Sequence, residues 1–209
     1  MTASADIQLK RLPERGSDDL DLACSIIDEA RICHVGIVID DQPYVIPMAL
    51  GRKGKELLLH GSVVSRLMGH LADGYPCCVT VTHLDGLVLA RSAFHSSMNY
   101  RTVMVFGTAR HVDDPQKKKQ GLDALVEHLA PGRLADVRAS TRKELNATTL
   151  LSVPIEHFSI KSRSGPPSDA ASDIGAPIWA GVIPLSLEAG TPEDAPDMTQ
   201  KIPVPDYLL

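Results

Sequence analysis

The chain has 209 residues, 44 % of them apolar, with 21 Lys and Arg against 26 Asp and Glu for a formal charge of −5. That apolar share builds a sizeable core, and aromatics at only 4 % leave it to Val, Leu, Ile and Ala. An acidic, aromatic-poor chain lacks the phosphate neutralisation and base stacking that nucleic-acid binding draws on, so no nucleic-acid partner is expected.

Residues 1–17 are polar and read as extended. Asp18 and Asp19 are placed to cap a helix with Leu20, Ala23, Cys24, Ile27 and Ala30 on one face. ICHVGIVI (32–39) and YVIPMAL (44–50) predict a hairpin around Asp40-Asp41-Gln42-Pro43, with Pro47 marking an edge or bulge. LLLH (57–60) is a third strand. VVSRLMGHLADG predicts a short helix with Val63, Leu67 and Leu71 inward, stopped at Gly74. PCCVTVTHL (76–84) and GLVLARSAF (86–94) predict a second hairpin turning at Asp85-Gly86, and RTVMVFGTARHV (101–112) a sixth strand.

A helix from about Pro115 to Ala130 follows, with Leu122, Leu125, Val126 and Leu129 inward, and a helical stretch near 139–147 precedes one last long strand, TLLSVPIEHFSIKSR (149–163). From Ser164 on, the chain is rich in Pro, Gly, Ser and Asp, interrupted by the apolar island IWAGVIPL (178–185). Strands in hairpin order with inserted helices predict a mainly β fold, an antiparallel barrel with peripheral helices.

The four cysteines form no CxxC pair and predict reduced, partly buried thiols, while the scattered histidines show no metal-ligand spacing, so no metal site is expected. No apolar run is long enough to span a membrane and residues 1–15 lack the apolar segment of a secretion signal, so a cytoplasmic protein without a membrane partner is expected.

Three segments carry donors or flat surfaces. HGSVVSR (60–66) joins a strand to a helix; Ser62, Ser65 and Arg66 suit either an anion or simple capping beside a surface Arg. SSMNYR (96–101) offers Ser97, Asn99, Tyr100 and Arg101 to an anionic or heteroaromatic ligand, or forms a polar hairpin loop. Pro47 and Met48 suit the edge and face of a flat ring, or an ordinary edge strand. Trp179, in its apolar island, docks as packing or as a ligand wall. His60 and His95 adjoin the donor-rich segments. No GxGxxG, GxxxxGK[ST] or GxSxG occurs.

In series, YVIPMAL, LLLHGSVVSR, SSMNYRTVMVFGTA, SIKSRSGPP and WAGVIPL resemble the FMN-binding split-barrel superfamily, within it the pyridoxamine 5′-phosphate oxidase-related proteins that include the nitroimidazole-resistance (Nim) proteins. The resemblance implies a six-stranded antiparallel split β-barrel over residues 18–187, between an N-terminal polar segment (1–17) and a C-terminal tail (188–209). It implies a homodimer with FMN at the interface.

Carried over by residue, the strand holding Pro47, Met48 and Ala49 lies along the flavin ring. His60, Ser62, Ser65 and Arg66 hold the ribityl phosphate. Asn99, Tyr100, Arg101 and Thr102 reach the flavin, partly from the partner chain, and Trp179 closes over it. Lys161 and Arg163 lie in an SxKxRxG pattern to which the resemblance gives no role.

Pyridoxamine-phosphate oxidases carry an Arg in the strand at 44–50 and an Arg-x-His near the C-terminus. This chain has Tyr44 and Ile46 in that strand and no such pair after WAGVIPL, which argues against pyridoxamine phosphate as substrate. The resulting expectation is an FMN-dependent oxidoreductase passing electrons from NAD(P)H to a small acceptor such as a nitroaromatic. The alternatives are a non-enzymatic flavin carrier or redox sensor, and a split barrel binding haem or a deazaflavin.

Overall fold

The computed structural model describes residues 9–208. Among the described residues the chain is mainly β, with two antiparallel sheets and four α-helices at their margins. A seven-stranded sheet runs in the order β1 (Gly16–Ser17), β10 (His157–Arg163), β7 (Ser97–Thr108), β6 (Pro76–Leu89), β2 (Ile32–Ile39) and β3 (Gln42–Ala49), with β11 (Gly181–Pro184) paired to β6. A four-stranded sheet runs β4 (Gly51–Lys53), β5 (Glu56–Ser62), β9 (Thr148–Pro154) and β8 (Arg110–His111).

The helices are α1 (Leu20–Glu29), α2 (Arg66–Ala72), α3 (Pro115–Leu129) and α4 (Arg142–Ala147). None among the described residues is long and apolar enough to cross a membrane.

Both sheets feed one core. Val35 of β2, Val79 and Val81 of β6 and Val103 and Val105 of β7 meet Leu57 and Leu59 of β5 and Leu151 and Val153 of β9, all essentially excluded from solvent. α1 closes the core with Ala23, Ile26 and Ile27; its cap is Asp19, whose carboxylate accepts from the Asp21 and Leu22 N–H groups. A smaller cluster of Leu58, Leu125 and Leu150 fixes α3 to the opposite face of the four-stranded sheet. Leu129, expected to face inward, is 41 % exposed because the helix ends there and leaves the sheet.

The β2–β3 hairpin turns at Asp40 and Asp41, both at positive φ (50° and 60°), as a two-residue connection requires. Pro47 does not break β3, which pairs with β2 along its whole length; an edge strand tolerates the missing N–H.

Three expectations are corrected. Asp85-Gly86 is a β-bulge, not a hairpin turn: β6 runs straight through 76–89 and pairs with β7, Leu84 opposite Tyr100 and Gly86 opposite Asn99, so Asp85 is the extra residue. A Cβ on Gly86 would lie 3.0 Å from the Ile183 carbonyl oxygen, so the glycine admits β11 against the bulge. The true turn is at 90–96, and SSMNYR therefore starts strand β7 instead of forming a loop.

The second correction concerns 149–163, which is two strands in two sheets. Pro154 and Ile155 end β9, and the Ile155 N–H donates to the Lys55 carbonyl oxygen 2.9 Å away before the chain re-enters the larger sheet as β10. Thirdly, α2 begins at Arg66. Ser65 is its cap, which leaves Val63 and Val64 outside the helix and exposed.

Candidate functional site

The residues expected at a ligand fall on two arms. The first is built where β5 runs out at Ser62 and the chain turns into α2. Ser62 Oγ accepts from the Val64 N–H at 3.4 Å, Ser65 Oγ from the Met68 N–H at 3.4 Å, and the Val63 N–H donates to the Ala147 carbonyl oxygen, fixing the turn on the end of α4.

Arg66, at the first helical position, is exposed, and its guanidinium lies 4.9 Å from the centroid of the Tyr44 ring. That cation–π contact brings the Tyr44 end of β3 to the turn that carries Ser62, Ser65 and Arg66, with Pro47, Met48 and Ala49 farther along the same strand. Pleating divides β3: Tyr44, Ile46 and Met48 pack toward the core, while Val45 and Pro47 face outward. Met48 is thus part of the core's margin.

His60 sits on β5 opposite Leu150, and its Nδ1 is shut from solvent without a hydrogen-bond partner. Burial lowers its pKa from the ordinary 6.5, holding the ring neutral. A buried histidine with a depressed pKa makes the unfolded state the better proton acceptor, so its contribution to stability is present above 6.5 and is lost as pH falls through that value toward the folded pKa. Urea unfolding at about pH 7.5 and about pH 5.5 is expected to show a stability loss that His60→Gln reduces. An equal loss in both proteins would contradict the assignment.

The second arm is the entrance of β7. Asn99 is buried; its amide nitrogen donates to the Gly165 carbonyl oxygen at 3.2 Å, and its carbonyl oxygen accepts from Arg163. The sequence pattern left Arg163 without a role, and the structure shows it orienting Asn99.

Arg101 is fully engaged. Nε and Nη2 donate to Asp85 at 3.0 Å each and Nη1 donates to Glu29 at 2.8 and 2.7 Å, so one guanidinium clamps the bulge to the end of α1. These partners, Asp85 first, raise its pKa further. Thr102 donates to the Val81 carbonyl oxygen at 2.7 Å and lies 2.9 Å from the Thr82 hydroxyl. Tyr100 is half-buried opposite Leu84 and Arg163.

Trp179 is 65 % exposed and leans over Gly181, which pairs with Leu89 beside the 90–96 turn. Arg91 in that turn donates through its N–H and Nη1 to Asp169, at 2.7 Å each, pinning the 164–180 segment. His95 Nδ1 lies 2.8 Å from Ser92 Oγ within the same turn, so this histidine is occupied locally.

One chain does not unite the arms. Tyr44, under Arg66, lies on the core side of β3, whereas on the sheet's outer face β6 and β2 lie between Pro47 of β3 and Thr102 of β7. Three strand spacings separate them by about 14 Å. Val38 and Val45 on that face are 56 % and 69 % exposed.

Two residues escaped the sequence reading. Tyr44 was visible only as a departure from an expected Arg. Tyr75, which stacks on His70 with centroids 4.3 Å apart and planes 7° from parallel, had no local pattern to reveal it.

The model of the pyridoxamine 5′-phosphate oxidase family matches residues 19–162. The chain is 41 % identical to the FAD and heme binding protein from Mycobacterium smegmatis over 93 % of its own length and 95 % of that chain, with a TM-score of 0.89. It is 35 % identical to the flavocytochrome Anf3 from Azotobacter vinelandii over 99 % and 96 % of the two chains, with a TM-score of 0.91. A 5-nitroimidazole antibiotic resistance protein described from Bacteroides thetaiotaomicron shares the fold at 24 % identity over 70 % of this chain and 85 % of that one, with a TM-score of 0.59. No curated protein sequence matches the chain. Family match and full-length structural similarity agree, and the chain belongs to the pyridoxamine 5′-phosphate oxidase-like family of split barrels.

Proposed function

We propose that this chain is a flavin-binding redox protein that works as a homodimer. The observation that carries the reading is Arg66 over Tyr44, which sets a free guanidinium and two serine hydroxyls beside an edge strand. That arrangement suits a phosphate joined to a flat, largely apolar ring.

In this reading the first arm of one subunit holds the phosphate and ring edge, and a second copy brings its own Tyr100 and Trp179 across the exposed sheet face, with Asn99 and Arg163 bracing the entrance of β7 from within. The separation of the two arms within one chain supports the sharing. A bound flavin supplies reversible hydride acceptance. The chain's part is to fix the ring, keep water from it and admit a small acceptor, such as a nitroaromatic, to which two electrons pass from NAD(P)H.

The resemblance alone implies FMN. The M. smegmatis relative is described as binding FAD and heme, and this favours FAD as the flavin here. The same description, with that of the A. vinelandii flavocytochrome, favours haem as a second cofactor. The donor chemistry fits: His60 Nδ1 is a buried ring nitrogen without a hydrogen-bond partner, the kind of donor that an iron would satisfy.

The absorption spectrum of the purified protein, with chromatography of the released flavin, tests both parts. Flavin bands together with a Soret band are expected, the flavin bands bleaching on addition of NADH or NADPH. A protein that takes up neither FAD nor FMN overturns the flavin reading. A flavin spectrum without a Soret band after growth with added haem precursor overturns the haem part alone. Turnover of nitroaromatics and quinones by the reduced protein then separates an enzyme from a passive carrier.

A further inference from the structure

The outer side of α2, one turn beyond Arg66, carries a stacked pair of rings. His70 is four residues along the helix from Arg66, so the two side chains rise from the same face, about 6 Å apart at Cβ. Leu67, Met68 and Leu71 take the opposite face into the core. A Cβ on Gly69 would meet nothing within 4 Å, so the surface between is open.

After the helix, Gly74 adopts φ +81°, its N–H donating to the Leu71 carbonyl oxygen, and this left-handed turn folds Tyr75 back against the helix it has just left. The result is the parallel His70–Tyr75 stack, with Tyr75 52 % exposed. His70 Nε2 is shut from solvent and has no hydrogen-bond partner, so the ring serves as a flat surface and not as a polar contact.

We propose that the stacked pair His70–Tyr75 is the platform for the adenine ring of FAD, and that it makes the chain prefer FAD to FMN. The inference rests on the flavin reading, in which Arg66 holds the first phosphate. FMN ends at that phosphate. FAD continues through a second phosphate and a ribose to a neutral heteroaromatic base, and a helical turn plus one side chain spans that extension. Adenine presents a broad π face, for which an exposed tyrosine already held flat by a second ring is a pre-organised partner. The open surface at Gly69 leaves the path clear for the ribose.

Calorimetric titration of the full chain, recovered without flavin, with FAD and with FMN separately tests this. Tyr75→Ala is expected to weaken FAD binding roughly five- to a hundredfold, the range of one lost base–aromatic stack, and to leave FMN binding unchanged. Tyr75→Phe, which keeps the ring, should restore FAD binding, and thermal melting of each variant verifies folding. Equal weakening of both flavins, or no change in either, overturns the platform while leaving the flavin reading intact. Failure of the wild-type chain to bind either flavin overturns both.

Discussion

Replacing Arg66 with alanine is expected to lower flavin affinity more than any other single change in the first arm. The lost group is an exposed guanidinium that no carboxylate among the described residues neutralises in the way Asp85 and Glu29 neutralise Arg101. A charge-assisted phosphate contact contributes about 1.5–3 kcal/mol, which is roughly a ten- to hundredfold rise in Kd. Arg66→Lys should fall between, because an ammonium keeps the charge but cannot lie flat on Tyr44 or grip two phosphate oxygens. Since the side chain is exposed, thermal stability should stay close to wild type in both variants. An unchanged Kd on calorimetric titration of Arg66→Ala would remove the phosphate from this turn.

Leu59→Ala produces the largest effect expected on stability. Leu59 is wholly buried on β5, in the seam where the four-stranded sheet meets the seven-stranded one. Truncation removes apolar contacts with both sheets and leaves a cavity that neither can close alone, at a cost of about 2–5 kcal/mol. The urea midpoint should drop accordingly with little change in slope. Leu187→Ala, at a position 93 % exposed, is the matched control and should change stability by less than about 0.5 kcal/mol. Equal effects at the two positions would mean that the sheets do not share one core.

Much of the architecture could be read from residue pattern. Asp19 capping α1, the Asp-Asp turn of β2–β3 and the placement of α3 follow from local chemistry that no distant contact overrules. What failed was decided at long range. Aspartate followed by glycine suits a hairpin turn and a bulge alike; only the pairing of β6 with β7 along both sides of Asp85 selects the bulge.

The run 149–163 is uniformly strand-like, and its break at Ile155 reflects which sheet each half joins. Two serines three residues apart compete to cap α2, and the docking of Val63 on Ala147 leaves Ser65 as the cap. For the candidate site, the contiguous segment 60–66 was recognisable because its residues are neighbours in sequence. Tyr44 under Arg66, Arg163 on Asn99 and Tyr75 on His70 are pairings made by the fold.

The extra residue at Asp85 has a consequence for how this strand tolerates change. Before it, the odd-numbered Val79 and Val81 join the shared core; after it, the even-numbered Val88 is the buried side chain. A strand that shifts phase midway is two independent reading frames joined end to end. The first half answers to β2 and the shared core, the second to β11 and the segment carrying Trp179. Substitutions in the second frame can therefore reshape the cover of the site without transmitting a register slip to the barrel.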